Sequence, residues 1–329
     1  QSLIALLYIY ISKTRPVTEF ADFVLVDSLL QITVAFFLLG SDKSIERFAF
    51  NSQESFDYNR KLLLGAVFVS GGVAFLTFIF KDVFIVVAGL FGLKGVAFHM
   101  VNLLILGGFI GSAFRLITSY EYKRLNAGML LSLRLGRSLI YTISVLAMLH
   151  LFISPAEARI YSELVSVAVA VSILFFSKVS VLKEERPPKY FATKVIESLS
   201  TIKSAFGYSI PFHITILASV IFNNIDKLFI NSMLDASALA SYAVAQKFAF
   251  VFTMLAGGMA SIVPPIFYKT VTRNRTKAYC LSNDMLTLVM LTLLIFTMSL
   301  NVVIPMIYPT LYREILLYYL TMAPGFYCS

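Results

Sequence analysis

Lys247 is a charged side chain inside an apolar run of the second half of the sequence. It follows Ala243, Val244 and Ala245, and Phe248 comes directly after it. Within an apolar helix an ionisable group is costly, and by default it faces a cavity or a partner. An ammonium group in such a position attracts anions, so Lys247 indicates a positively charged site that binds an anionic ligand. The alternatives are a static buried ion pair, or a lysine whose head reaches the outer interface.

A weak internal repeat relates the sequence around Asp27 to the sequence around Lys247. With an offset of 219 positions, Ile11–Ser28 lies over Ile230–Lys247, which is typical of parallel transporter repeats. Gln246 is the counterpart of Asp27 in this match. We therefore expect Asp27 and Lys247 at similar depth in opposite lobes. Lys247 either binds an anionic group of a ligand, or pairs with Asp27 in one state and releases it in another. Gln31, one turn after Asp27, is predicted to contribute a polar group to the same cavity or to hold helices together.

Polar residues also gather near the end of the preceding apolar segment. Asn223 and Asn224 either bond hydroxyl groups of a ligand or join neighbouring helices. Asp226 and Lys227 follow at once. They are predicted to form a gate or an ion-coupling pair, and the alternative is an interfacial cap that sets topology.

Four arginines lie where apolar segments meet basic loops. Arginine suits phosphate because its planar guanidinium makes bidentate hydrogen bonds. The alternative is the ordinary excess of basic residues in cytoplasmic loops. The four residues are Arg47, Arg115, Arg134 and Arg137, of which the last two are one helical turn apart.

The composition is that of a membrane protein built from helices. The chain is 58% hydrophobic, and only 14% of its residues are charged, against about a quarter in soluble domains. Long apolar runs in a bilayer must be helical, since each backbone group needs an internal partner. We predict an all-α polytopic protein with ten hydrophobic segments. They are 1–12, 19–40, 61–80, 83–114, 125–153, 159–180, 206–230, 237–268, 280–308 and 311–327.

Loop charges and a proline pair predict orientation and domain boundaries. Most of the 27 basic residues fall in one alternating set of loops, which places that set and the N-terminus in the cytoplasm. Arg159 falls in the other set and is therefore predicted to lie in an outer loop. Pro187-Pro188 interrupts the longest polar connection. We expect an N-terminal transmembrane lobe over 1–180, a cytoplasmic linker with an amphipathic helix over 181–205, and a C-terminal transmembrane lobe over 206–329.

Catalytic and metal-binding signatures are missing from the sequence. It has no Asp-x-Asp pair, no phosphate-binding glycine loop and no metal spacing of its two cysteines. We therefore predict a protein that is not an enzyme and has no cofactor or metal. Coupling to protons, sodium ions or the membrane potential stays open.

An ordered set of stretches resembles one family of transporters. The segment Phe206–Tyr242 is similar to the seventh and eighth helices of Wzx-type oligosaccharide flippases. The similarity lies in the stretches GYSIP, NNIDKLFI and ALASYAVAQK, the last of which continues beyond Tyr242. TEFADFVLVDSLLQITVAFFLLGSDKSIERF resembles their second helix and following loop, and the basic loop Tyr120–Ser138 is similar too. The resemblance implies the two-lobed architecture shared with multidrug (MATE) exporters, with twelve or more helices. We expect this chain to lack the start of the first helix and the last two helices.

The resemblance also implies a cargo. Such flippases move undecaprenyl-pyrophosphate-linked oligosaccharide from the cytoplasmic to the outer leaflet of the bacterial inner membrane, for O-antigen, lipopolysaccharide or other surface polysaccharide. Lys247 and the loop arginines would then bind the pyrophosphate. Expected partners are this lipid-linked sugar, membrane lipids and other polysaccharide assembly proteins, without nucleic acid. The alternatives are a MATE-type cation-coupled drug exporter and a polytopic glycan polymerase or glycosyltransferase.

Overall fold

The computed structural model describes residues 2–48, 56–90, 98–123, 127–151, 153–176 and 191–248, and beyond them positions 283, 287, 291, 298, 302, 304–308 and 315. Its helices are α1 Ser2–Thr14, α2 Val17–Leu38, α3 Ser41–Phe48, α4 Phe56–Ile79, α5 Lys81–Leu90, α6 Phe98–Lys123, α7 Ala127–His150, α8 Pro155–Phe176 and α9 Phe191–Met233. Residues 236–248 are helical as well. The predicted all-helical class is confirmed for the described part of the chain.

Within the residues that the structure describes, four helical stretches are long and apolar enough to cross a membrane. They are Val17–Leu38, Lys61–Ile79, Met100–Tyr120 and Gly207–Met233. Several apolar helices of this length make a multi-pass membrane protein, as predicted. Helices α7 and α8 cover the predicted fifth and sixth segments but carry more charge, namely Arg134 and Arg137 in one and Arg159 and Glu163 in the other. The number of spans and the two-lobed arrangement stay predictions.

Helix α2 is the central element of the larger compact unit. It begins after Pro16, whose extended backbone suits the residue before a helix. It ends where Leu39 and Gly40 take positive φ angles of 46° and 70°, a common way to terminate a helix. Between these ends α2 packs against α6, α8 and α9, and its polar residues Asp27, Ser28 and Thr33 are buried among these helices.

Small residues let α6 approach α2 closely. A Cβ atom at Gly108 would lie 2.4 Å from Cγ2 of Thr33, and one at Gly107 would lie 3.2 Å from Leu30. The hydroxyls of Ser70 and Ser112 hydrogen bond at 2.6 Å between α4 and α6. Close backbone approach and interhelical hydrogen bonds replace the hydrophobic effect as the source of helix association in lipid.

The side chain of Ser154 caps the N-terminus of α8. The backbone N–H of Glu157 donates to the hydroxyl of Ser154 at 3.3 Å, and that hydroxyl donates to the Glu157 carboxylate at 3.0 Å. Pro155 occupies the first helical position, where its missing N–H costs nothing. The helix is therefore in register from its first turn, and it presents Arg159 and Glu163 one turn apart on its packed face.

Helix α9 continues without a break from Phe191 to Met233 and contains Pro211. The predicted linker helix and the predicted seventh segment are parts of this one helix. A helix of 43 residues extends over about 65 Å, roughly twice the hydrocarbon thickness. Its first turns precede the candidate span Gly207–Met233, and their location at the cytoplasmic interface stays a prediction.

The chain divides into two compact units. The first contains residues 15–236, and the second contains most of α1 together with residues 237–329. Within the second unit the hydroxyl of Ser12 hydrogen bonds to that of Tyr308. The predicted lobes at 1–180 and 206–329 are not tested by this division. Most of the predicted C-terminal lobe lies outside the described residues.

Candidate functional site

A salt bridge between Asp27 and Arg159 lies inside the first unit. Asp27 is midway along α2, and its Oδ1 accepts from Nε of Arg159 at 2.7 Å. The two side chains are only 8% and 11% exposed. Burying either ion alone would cost several kcal/mol. The direct contact between the two opposite charges offsets part of this cost.

Glu163 and Arg137 extend this pair into a chain of four charges. The terminal nitrogen of Arg159 donates to Oε2 of Glu163 at 3.1 Å. The other carboxylate oxygen of Glu163 accepts from Arg137 of α7. Two carboxylates thus balance two guanidinium groups, and the network joins α2, α7 and α8. We call Asp27, Gln31, Arg137, Arg159 and Glu163 the charge network.

The network has a buried centre and two accessible ends. At one end, the amide nitrogen of Gln31 donates to Oδ2 of Asp27 at 2.8 Å, and Gln31 is exposed. At the other, the Arg137 side chain is 28% exposed while its partner Glu163 is 7% exposed. The accessible polar groups of the network are therefore an amide and a guanidinium, whereas its carboxylates are buried.

Aromatic rings support both arginines. The guanidinium carbon of Arg159 lies 4.9 Å from the ring centroid of Tyr141, and that of Arg137 lies 4.3 Å from the centroid of Phe114. Cations are attracted to such ring faces, more strongly when desolvated. The rings hold the arginines in place without using up their N–H donors.

Lys227 brings α9 to the same region. Its ammonium donates to the side-chain oxygen of Asn224 at 3.0 Å and to the backbone oxygen of Asn223 at 3.4 Å. Lys227 and Asn224 are buried. The ammonium also interacts electrostatically with Asp27 and Asp226. The structure therefore brings the predicted gate pair and the asparagines together, and it links them to the charge network.

The predicted cytoplasmic arginines have different surroundings. Arg137 lies near the middle of α7 within the charge network, whereas Arg134 is exposed. Arg115 forms a salt bridge with the buried Asp42 at 3.3 Å and stays 44% exposed. Arg47 is exposed and lies over the ring of Tyr208. Their predicted contacts with pyrophosphate remain predictions.

Lys247 and Gln246 belong to the second unit. The Lys247 ammonium lies 3.8 Å from the ring centroid of Tyr8, a buried residue of α1. Both Lys247 and Gln246 are partly buried. The predicted exchange between Lys247 and Asp27 is untested, because Asp27 belongs to the other unit.

Sequence reasoning missed Arg159, Glu163 and Tyr141. It placed Arg159 in an outer loop, at the edge of a segment taken to begin there. The available signal was the spacing of Arg159 and Glu163, which are one turn apart in a helix whose start is marked by the capping sequence Ser154-Pro155-Ala156-Glu157. A charged pair on one face of an apolar helix indicates partners on neighbouring helices.

Among the described residues, no group of three or more His, Cys, Asp or Glu side chains is arranged to hold a metal ion. The charge network itself contains only two carboxylates, and each of them accepts from an arginine. These carboxylates are therefore committed to guanidinium groups. The prediction that the protein uses no metal stays a prediction.

Comparison with known proteins identifies the family to which the chain belongs. The model of a family described as polysaccharide biosynthesis protein matches residues 2–271. No curated protein and no solved structure matches the chain. The matched range includes the charge network, Lys227 and Lys247.

Proposed function

Because the chain belongs to the polysaccharide biosynthesis protein family, we propose that it is a flippase for a lipid-linked oligosaccharide. It moves an undecaprenyl-pyrophosphate-linked sugar unit from the cytoplasmic to the outer leaflet of the bacterial inner membrane by alternating access. The product supplies O-antigen, lipopolysaccharide or another surface polysaccharide. A pyrophosphate bearing sugars is too polar to cross hydrocarbon unaided, so the protein must offer polar groups inside an apolar bundle.

The observation that carries this proposal is the charge network, which joins the middle of α2 and α7 to the first half of α8. Charges inside an apolar bundle are retained where function needs them. The four charged side chains of the network sum to zero net charge. Each contacts a side chain of opposite charge, which lowers the free-energy cost of burying it. The exposed ends of the network are Gln31 and Arg137. They suit a sugar hydroxyl and a phosphate oxygen respectively.

Competition for Arg137 gives a mechanism. An arriving pyrophosphate and Glu163 both attract the guanidinium of Arg137, and Phe114 keeps that group in position. When phosphate takes Arg137, Glu163 keeps its bond with Arg159 on the same helix. The cargo therefore weakens the α7–α8 connection while leaving the α2–α8 connection intact. A change of this kind lets binding shift the population of two packing states.

The remaining predicted residues have roles along the path. Arg47, Arg115 and Arg134 receive the pyrophosphate at the cytoplasmic side. Asn223 and Asn224 in the first unit, and Gln246 and Lys247 in the second, bind polar groups of the cargo. Asp226 and Lys227 act as a gate between states. The protein needs no cofactor, and transport is driven by protons, sodium ions or the membrane potential.

Complementation tests the proposal. The full chain is expressed in bacteria that lack their own flippase, and surface polysaccharide is measured at equal membrane abundance. The wild type should restore the glycan. Arg137→Gln should reduce it about tenfold or more, because a charge-assisted hydrogen bond to the cargo is lost. Arg137→Lys should fall between the two, since lysine keeps the charge without the bidentate geometry.

Lys203→Gln is the matched control, because it removes the same charge from an exposed position of α9. Its glycan level should equal that of the wild type. Failure of the wild type in several glycan backgrounds, with drug resistance appearing instead, would contradict the flippase and favour the exporter. Equal losses for Arg137→Gln and Lys203→Gln would remove the charge network from the mechanism.

A further inference from the structure

Helix α3 contacts α9 through a group of aromatic side chains, and Arg47 lies over one of their rings. The guanidinium carbon of Arg47 lies 4.7 Å from the ring centroid of Tyr208. Phe48 packs edge-on against the same tyrosine, with centroids 5.6 Å apart, and the rings of Tyr208 and Phe212 are 4.9 Å apart. We call Arg47, Tyr208 and Phe212 the arginine shelf.

Arg47 differs from the other basic residues near it. Lys43 forms a salt bridge with Glu46 at 2.6 Å, and Arg115 forms one with Asp42 at 3.3 Å. Arg47 has no hydrogen-bond or salt-bridge partner within the described part of the chain, and it is exposed. The Arg47 guanidinium is therefore positioned by the Tyr208 ring, and its N–H groups can donate to an external anion.

Stacking prepares the guanidinium for such an anion. A guanidinium that lies over an aromatic face keeps its N–H donors at the edge of the plane, where two of them match two oxygens of a phosphate. The ring also reduces the side-chain freedom that would be lost on binding, and that loss normally weakens affinity. The shelf thus has the charge, the donor geometry and the rigidity of a phosphate site.

The position of the shelf along the helices indicates what carries the phosphate. Helix α3 follows the candidate span Val17–Leu38 after a two-residue turn, and Tyr208 and Phe212 lie in the first two turns of the candidate span Gly207–Met233. Phe212 is 41% exposed. A ring at the end of a span lies where hydrocarbon meets the headgroups, so the anion within reach is that of a lipid.

We propose that the arginine shelf binds the phosphate group of a membrane lipid, with Arg47 as the phosphate ligand, Tyr208 as its support and Phe212 as an apolar neighbour of the lipid chain. That this lipid is the polyprenyl-linked cargo, and not a bulk phospholipid, rests on the proposed function. The binding site itself does not depend on transport.

The chain contains no tryptophan, and this gives a direct binding measurement. Tyr208→Trp keeps an aromatic face under Arg47, since tryptophan is the strongest cation–π partner, and it adds the only indole. The full Tyr208→Trp chain is placed in phosphatidylcholine nanodiscs, and its fluorescence is followed as undecaprenyl phosphate is added. We expect a saturable change.

Variants in the same background identify the ligand. Adding Arg47→Gln should weaken binding about tenfold or more, and Arg47→Lys should weaken it less. Lys43→Gln removes a charge from the same helix and should leave affinity unchanged. Equal weakening by Arg47→Gln and Lys43→Gln would overturn the site, because diffuse charge would then explain binding. No saturable change with any anionic lipid would overturn it as well.

A parallel titration with phosphatidylglycerol separates the two lipid sources. Tighter binding of undecaprenyl phosphate supports the cargo, whereas equal binding supports a phospholipid site and overturns the cargo assignment. Saturable binding by a chain that fails to restore surface glycan would contradict the proposed function and leave the site standing. Normal glycan with Arg47→Gln, together with unchanged lipid affinity, would contradict the site and the role of Arg47 in receiving the cargo, and it would leave the flippase function standing.

Discussion

The Nε atom of Arg159 donates to Oδ1 of Asp27 at 2.7 Å across 132 positions of the sequence. This hydrogen bond joins the start of α8 to the middle of α2. Both side chains are nearly excluded from solvent. The relationship explains how a carboxylate is tolerated in the middle of a candidate membrane span, and it connects that carboxylate to every other member of the charge network.

Breaking this pair from one side should destabilise the protein. Arg159→Met leaves Asp27 buried without its guanidinium, and loss of one partner of a buried pair costs about 3–5 kcal/mol. Asp27→Asn should cost less, since Arg159 keeps Glu163. Thermal unfolding in detergent should show both effects as lower midpoints.

The double variant Asp27→Asn/Arg159→Met is the test of coupling. It removes both charges, so its free energy of unfolding should fall by less than the sum of the single effects. Single effects that add to within about 0.5 kcal/mol would contradict a direct pairing.

Gly40 should not tolerate a side chain. Its φ of +70° disfavours other residues, and a Cβ atom there would lie 2.6 Å from the backbone oxygen of Ser209. Gly40→Ala should therefore lower the free energy of unfolding by about 1–3 kcal/mol. The readout is the unfolding midpoint of the purified protein.

Gly136 offers the matched comparison for Gly40. It lies inside α7, and a Cβ there would meet nothing within 4 Å. Gly136→Ala should be neutral or stabilising by up to about 1 kcal/mol, because alanine is the better helix former. If both glycine variants behaved alike, the close contact between the α2–α3 turn and α9 would not be present.

The α2–α6 contact predicts a compensating pair. A Cβ at Gly108 would lie 2.4 Å from Cγ2 of Thr33, so Gly108→Ala should cost about 1–3 kcal/mol through overpacking. Thr33→Ser deletes that methyl group and keeps the hydroxyl, which donates to the Leu29 carbonyl oxygen. The double variant should recover most of the lost unfolding free energy. No recovery would mean that α6 does not approach α2 at this position.

Tyr8 should matter for transport through its ring. The Lys247 ammonium lies 3.8 Å from the Tyr8 centroid, and a buried cation–π contact contributes about 2 kcal/mol. Tyr8→Phe keeps the ring face and should preserve surface glycan in the complementation assay. Tyr8→Leu removes it and should reduce the glycan several-fold, in the same direction as Lys247→Ala.

Tyr10 is the control for this experiment, because it lies on the same helix and is 40% exposed. Tyr10→Leu should leave the glycan at the wild-type level when membrane abundance is matched. Equal effects of Tyr8→Leu and Tyr10→Leu would argue that α1 needs aromatic residues in general. A Lys247→Ala variant with full activity would remove Lys247 from the cavity.

Much of the site could be predicted residue by residue. Asp27, Gln31 and Lys227 stand out because each is a polar group in an apolar helix, and such a group requires a partner or a cavity. Their actual partners could not be predicted. The structure gives Asp27 the partner Arg159, a residue assigned from sequence to an outer loop. The exchange of Asp27 with Lys247 stays a prediction.

There is a physical reason why the polar residues could be predicted from the sequence and their partners could not. An apolar stretch in a membrane must form a helix, because each backbone N–H and C=O finds its partner within the same segment. Local sequence therefore determined the helical class, the family resemblance and the residues that could not face lipid. A salt bridge between α2 and α8 depends instead on which helices are neighbours and at what height they cross. Only the packing of α2 against α6, α8 and α9 decided that Asp27, Arg159, Glu163 and Arg137 share one network.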